Sequence, residues 1–195
     1  MQRLKFLRNQ MGLTQTDLAK MLRITQGALN HYERGVTEPT IDKMQEMAKI
    51  LHTTIDFLTG RTNKMLYPVL GTIAAGEPIM TDNNIIDYQE FDFNPSLDKE
   101  YLVLNVKGQS MYPFYLDGDR VLVELGNTTP QKDKVYAVRV GNEATMKMID
   151  FKKDGLVLVA YNAAVYSPKF YSKDECQDLP VEIIGVVKAL SRTID

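Results

Sequence analysis

The sequence predicts two domains of different class: a small all-α bundle over residues 1–60, then a mainly antiparallel, barrel-like β domain over residues 68–195. Three observations carry this. Apolar residues recur at helical spacing as far as Phe57-Leu58 and at strand spacing from Tyr67-Pro68 onward. Between the two regimes, Arg61-Thr62-Asn63-Lys64 marks a polar linker over residues 61–67. Charge divides at the same place. Residues 1–64 hold ten Lys/Arg against six Asp/Glu, a net of +4, and the remainder thirteen against nineteen, a net of −6. A basic first domain beside an acidic second predicts that only the first meets a polyanion.

The chain has 195 residues, 44% of them hydrophobic and 25% charged, which is ordinary for a globular protein with a real core. No apolar run approaches the roughly 18 residues of a membrane span. The first residues, Met1-Gln2-Arg3-Leu4-Lys5-Phe6-Leu7-Arg8, are charged at helical intervals and lack a signal peptide's apolar core, so a cytoplasmic location is expected. A single cysteine, Cys176, excludes an internal disulfide, and two histidines far from it give no metal-ligand cluster. No metal or cofactor is expected.

The α region divides at its own punctuation. Leu4, Leu7 and Met11 share one helix face, and Gly12 ends that helix. Thr14-Gln15-Thr16-Asp17 has the form of a capping box. A helix through Leu18, Ala19, Met21 and Leu22 follows, then a short turn at Arg23-Ile24. Thr25 is the next N-cap, and Arg34-Gly35 closes its helix. Pro39-Thr40 opens a helix through Ile41, Met44, Met47, Ala48, Ile50 and Leu51. Thr54 begins a last turn that Gly60 closes.

Two short helices joined by a tight turn form a helix-turn-helix, whose second helix is sized to enter the major groove. Ala19 stands where the pair must touch. The order of helix, helix-turn-helix, Tyr32-Glu33-Arg34-Gly35, Pro39-Thr40 and two more helices resembles the XRE family of phage and bacterial repressor DNA-binding domains over residues 1–60. One position departs: Arg23 stands where the family turn usually has glycine, so it must accept a left-handed backbone. The resemblance places Gln15 against a phosphate, and Thr25, Gln26, Gly27 and Asn30 on the leading turns of the recognition helix. Gln26 and Asn30 carry the donor–acceptor pair that reads adenine, and Thr25 can donate to phosphate or meet a thymine methyl. Leu18, Leu22, Ile24 and Leu29 are expected in the core. Arg3, Arg8, Lys20 and Arg34 are either phosphate contacts or solvated charges.

In the second region, Val69-Leu70, Tyr101–Val106, Arg120–Glu124, Lys134–Val140, Ala144–Ile149, Leu156–Ala160 and Val181–Val187 read as strands. Gly141-Asn142 and Lys153-Asp154-Gly155 are hairpin turns. Residues 83–99, acidic and irregular, are expected to be a surface loop.

Three stretches of this region carry chemistry. Lys107-Gly108-Gln109-Ser110-Met111-Tyr112-Pro113 puts a serine at the exit of a strand, with Gly118-Asp119 forcing a turn behind it. Ala144-Thr145-Met146-Lys147-Met148-Ile149 puts one lysine inside an apolar strand. Gly71-Thr72-Ile73-Ala74-Ala75-Gly76 offers a peptide bond between small residues. A lysine at its ordinary pKa, about 10.4, is no base at neutral pH. Desolvated among Met146, Met148 and Ile149 it would be pushed toward neutrality, as activation of a serine requires. Together the stretches resemble, over roughly residues 68–190, the C-terminal domain of LexA-type repressors and their phage relatives, which are self-cleaving Ser-Lys peptidases; Ile184-Gly185-Val186 also matches. The resemblance implies Ser110 as nucleophile, Lys147 as general base and Ala75–Gly76 as the scissile bond, with backbone amides at Gln109 and Ser110 as oxyanion donors.

The expected protein is thus a repressor that binds palindromic operator DNA as a homodimer and is inactivated by its own cut. The family's usual trigger is a RecA–single-stranded DNA filament. Two alternatives stand beside this reading, one on the same scaffold and one from another class. One is a non-cleaving repressor lifted by an antirepressor protein, its β domain only dimerising. The other is a processing peptidase acting on other proteins, as signal peptidase does.

Overall fold

A computed structural model of the chain describes residues 1–71, 79, 84–128, 131, 133–141, 143–178 and 181–192. These fall into two compact units, residues 1–66 with 90–99 and residues 67–89 with 100–195. Among the described residues, no helix is long and apolar enough to cross a membrane.

The first unit holds five helices: α1 (Gln2–Gln10), α2 (Gln15–Met21), α3 (Gln26–Arg34), α4 (Ile41–Ile50) and α5 (Ile55–Thr59). Threonine starts four of them. Thr14, Thr25, Thr40 and Thr54 each accept a hydrogen bond from the amide three residues on, at 3.1 to 3.3 Å. Each such cap contributes about 1 kcal/mol. Asp17 closes the capping box expected at Thr14. Leu4, Leu7, Leu18, Ala19, Leu22, Leu29, Met47 and Phe57 form the buried face, while Ile24 is half-buried. The α2–α3 turn does hold Arg23 left-handed, at φ 52°. That conformation costs a non-glycine residue roughly 1–2 kcal/mol, and packing of the two helices holds it in place.

The strands form one nine-stranded sheet in the order β2-β1-β3-β4-β9-β5-β6-β7-β8. Their ranges are β1 Lys64–Leu70, β2 Ile85–Asp92, β3 Tyr101–Asn105, β4 Arg120–Leu125, β5 Val135–Val140, β6 Glu143–Lys152, β7 Gly155–Val159, β8 Lys169–Ser172 and β9 Val181–Ser191. β1 and β3 run parallel, and the pairings from β3 through β8 are antiparallel. The sheet is open, so the barrel-like expectation holds only loosely: register shifts between Leu122 and Val123 and between Ala137 and Val138 curl it at β9 without closing it. Gly185 is required at this bend, because a Cβ there would lie 2.0 Å from the Glu124 carbonyl oxygen.

One expectation is overturned. Residues 83–99 are not wholly a loop, for β2 occupies Ile85–Asp92. Ile85, Tyr88 and Phe91 have the side chains of a strand, and the acidic residues that suggested a loop belong to the strand's edge position. Charged edges are how sheets avoid pairing with other chains. Asp87 and Gln89 meet Arg120 of β4 at 2.9 and 2.7 Å. Strand β1 also begins at Lys64, inside the run that read as linker.

Candidate functional site

In the helical unit, α3 presents Thr25, Gln26 and Gly27 exposed and Asn30 half-buried. Thr25 spends its oxygen lone pair on the Ala28 amide, which leaves its proton to donate outward. Behind these residues runs a polar chain. Arg8 pairs with Glu33 at 2.6 Å, both buried. Glu33 accepts from Gln15 Nε2 at 2.8 Å, and Gln15 Oε1 accepts from Gln26 Nε2 at 3.4 Å. A buried ion pair thereby orients the glutamine at the start of α2, which in turn steadies the one at the start of α3. Two basic residues are removed from the phosphate candidates. Arg8 is buried on Glu33, and Arg3 donates to the carbonyls of Phe57 and Thr62 and to Asn63. Arg8 spends its charge on Glu33, and Arg3 spends its donors within its own unit.

In the sheet unit, β3 delivers the chain to Ser110. The loop is pinched at its base, where the Val106 amide donates to the Asp119 carbonyl at 2.8 Å and Gly118 donates to Val106 at 3.0 Å. Gly108 turns with φ 79°, and its amide donates to the Asp117 carboxylate at 2.7 Å. Asp119 is buried and accepts from the Leu116 amide and from Arg192 Nε and Nη2, each at 2.7 Å. The Arg192 guanidinium holds the Asp119 carboxyl below its ordinary range. The turn carrying Ser110 is therefore fixed by hydrogen bonds within the sheet unit.

Lys147 comes from β6, and only 2% of it is exposed. Its Nζ donates to Thr145 Oγ1 and to the Met146 carbonyl, each at 2.8 Å, and lies 3.1 Å from Ser110 Oγ. Thr145 precedes it by two residues and so shares its face of the strand. Burial pushes the Lys147 pKa down from 10.5 to about 8. Charged, the amine can donate to all three oxygens. Neutral, it has two protons, which suit Thr145 and Met146, and one lone pair left for the Ser110 hydroxyl proton.

Sequence reasoning named Ser110 and Lys147 and the structure brings them together. It assigned no role to Thr145, although the two-residue spacing on a strand signals a shared face. Nor did it find Asn162, which donates to the Ser110 and Gln109 carbonyls at 2.9 and 3.1 Å. No local pattern points to that asparagine. Ala75 and Gly76 lie outside the described residues.

A helix-turn-helix unit joined to a sheet that sets a serine beside a buried lysine defines a DNA-binding protein carrying a peptidase domain. The comparisons agree: a helix-turn-helix family matches residues 4–58 and the peptidase S24-like family matches residues 68–188. The chain is 30% identical over 168 residues to the LexA repressor of Clostridioides difficile (strain 630), covering 85% of this chain and 74% of that protein. It is 35% identical over 127 residues to the LexA repressor of Lacticaseibacillus casei (strain BL23), covering 64% and 57%. It is 28% identical over 175 residues to the 26 kDa repressor protein of Escherichia phage HK022, covering 77% and 74%. The chain belongs to the LexA family of repressors, DNA-binding proteins with a helix-turn-helix and an S24 peptidase domain.

Proposed function

We propose that this chain represses transcription as an operator-bound dimer and ends repression by cutting itself between Ala75 and Gly76. The observation that carries the cut is the buried Lys147 amine 3.1 Å from the Ser110 hydroxyl. Neutral Lys147 takes the proton as Ser110 Oγ adds to the Ala75 carbonyl carbon. The oxyanion that forms is met by the backbone amides of Gln109 and Ser110. The Gln109 carbonyl accepts from Tyr112 and Asn162, and across a trans peptide the Ser110 N–H points the opposite way. Protonated Lys147 then returns its proton to the Gly76 nitrogen as the peptide bond breaks. Water, with Lys147 again as base, releases Ala75 from the Ser110 ester. Residues 1–75 and 76–195 are the products.

Family membership supports the remaining parts of the reading. A palindromic operator needs two recognition helices at a fixed spacing, which a dimer supplies. A RecA filament on single-stranded DNA is the trigger the resemblance implies, and it would act by favouring the cleavable arrangement. Incubation of the purified chain at pH 9, followed by mass spectrometry, tests the cut. A new N-terminus at Gly76, absent in Ser110→Ala, is expected. An intact chain, or equal cutting in Ser110→Ala, would leave a repressor whose β domain serves another purpose.

For DNA, Gln26→Ala should relax discrimination at one base pair per half-site by roughly 1–3 kcal/mol. Gln15→Ala should weaken operator and random DNA alike. Binding titrations on operator and single-substituted sites measure both. Equal losses on all sites for Gln26→Ala would remove it from the base readers.

A further inference from the structure

Asn162 bonds the turn that carries Ser110 and opens a second turn that reaches Lys147. Its backbone amide donates to the Ser110 carbonyl, and its side-chain amide to the Gln109 carbonyl. Its own carbonyl accepts from the amides of Val165 and Tyr166, each at 3.1 Å. The turn so formed carries the Tyr166 ring to the base, where Lys147 Nζ lies 4.5 Å from the ring centroid. We infer that residues 162–166 form a positioning turn for the cut, in which Asn162 holds the peptide planes around the nucleophile and Tyr166 roofs the amine of the base. The inference rests on the reading of Ser110 and Lys147 given above.

Each end has a distinct physical task. Two donors on the Gln109 carbonyl, from Asn162 and Tyr112, fix the direction of the Ser110 N–H. A misplacement of about 1 Å at a reacting centre can cost a factor of 100. Tyr166 acts on Lys147 in two opposed ways. Its ring excludes water from Nζ, which favours the neutral amine, and its π face attracts the cation. Burial is what lowers the Lys147 pKa, and the ring 4.5 Å from Nζ is part of that cover.

The other groups around the amine do not reverse this. On β5, Tyr136 is in register with Lys147, and its hydroxyl is engaged by the Gln131 amide. On β8, Lys169 Nζ lies 5.7 Å from the Tyr166 ring, and Tyr171 hydrogen-bonds Tyr166. Ser110 and Thr145 are neutral hydroxyls.

The test uses the full chain with two readouts. In a Ser110→Ala background, which has no nucleophile, the Lys147 amine is titrated by NMR on lysine labelled at Cε. Tyr166→Ala should raise the midpoint by about one pH unit or more, and Tyr166→Phe should leave it in place. With Ser110 present, the rate of Ser110 labelling by a fluorophosphonate is followed. Its oxygen displaces fluoride from phosphorus as Lys147 takes the proton. Asn162→Ala and Asn162→Asp should slow labelling, and self-cleavage with it, about tenfold or more, with the Lys147 midpoint unchanged in Asn162→Ala. A general loss of structure would instead move both readouts, and thermal melting identifies it in any one variant. A midpoint equal in Tyr166→Ala and Tyr166→Phe, or wild-type labelling in both Asn162 variants, would overturn the inference. If the wild-type chain labels but leaves no cut product, the reading of the scissile bond fails while the positioning turn is still decided.

Discussion

Lys147→Met is expected to abolish self-cleavage and, at pH 7, to make the protein more stable than the wild type by roughly 1–2 kcal/mol. Burial lowers the Lys147 pKa from 10.5 to about 8. That difference corresponds to about 3 kcal/mol against folding wherever the amine is charged. Methionine has similar volume and no charge, so the penalty disappears. Part of the gain is offset, because Thr145 Oγ1 and the Met146 carbonyl lose their donor, at about 1 kcal/mol each. The sign changes with pH. Between about 8 and 10.5 the unfolded chain binds the proton and the folded one does not, so wild-type stability climbs through that window. The variant has no group titrating there, and its advantage should vanish by pH 10.5. Urea unfolding at pH 7 and pH 10 measures both halves. A wild type more stable than Lys147→Met at pH 7 would mean the buried amine is well solvated after all.

Severing the chain is expected to lower operator affinity by a factor of roughly 10² to 10⁴. Residues 1–75 keep α2 and α3, and with them Gln15, Thr25, Gln26 and Asn30, so each proposed half-site contact should survive. In the proposed dimer, what is lost is the linkage that makes the second half-site binding intramolecular. A fragment of residues 1–75 should therefore bind one half-site as the intact chain does and lose its preference for a two-site operator. Sedimentation and operator titration of 1–75 and 76–195 check this. A monomeric 76–195, or a 1–75 fragment that binds the full operator as tightly as the intact chain, would place the dimer contacts elsewhere.

How far the sequence disclosed this depended on the range of each interaction. The helix starts were legible because a threonine cap acts on an amide three residues away. Ser110 and Lys147 were legible as types, a serine leaving a strand and a lysine among methionines, and resemblance joined them across 37 residues. Arg8 was ambiguous because its partner, Glu33, lies 25 residues on, and nothing local separates a buried ion pair from a solvated charge. β2 was missed because composition reports polarity, whereas an edge strand needs its acidic residues. Asn162 left no trace at all, since its value lies in the carbonyls that a distant turn brings to it.

The central claim, that neutral Lys147 activates Ser110 within the same chain, is tested most directly by the rate of self-cleavage as a function of pH at several protein concentrations. The account predicts a rate that rises about tenfold per pH unit below the Lys147 midpoint and levels off above it, near pH 8. It also predicts the same first-order constant at every concentration, because substrate and catalyst share one chain. A rate that is flat from pH 6 to pH 9, or one that grows with protein concentration, would contradict it.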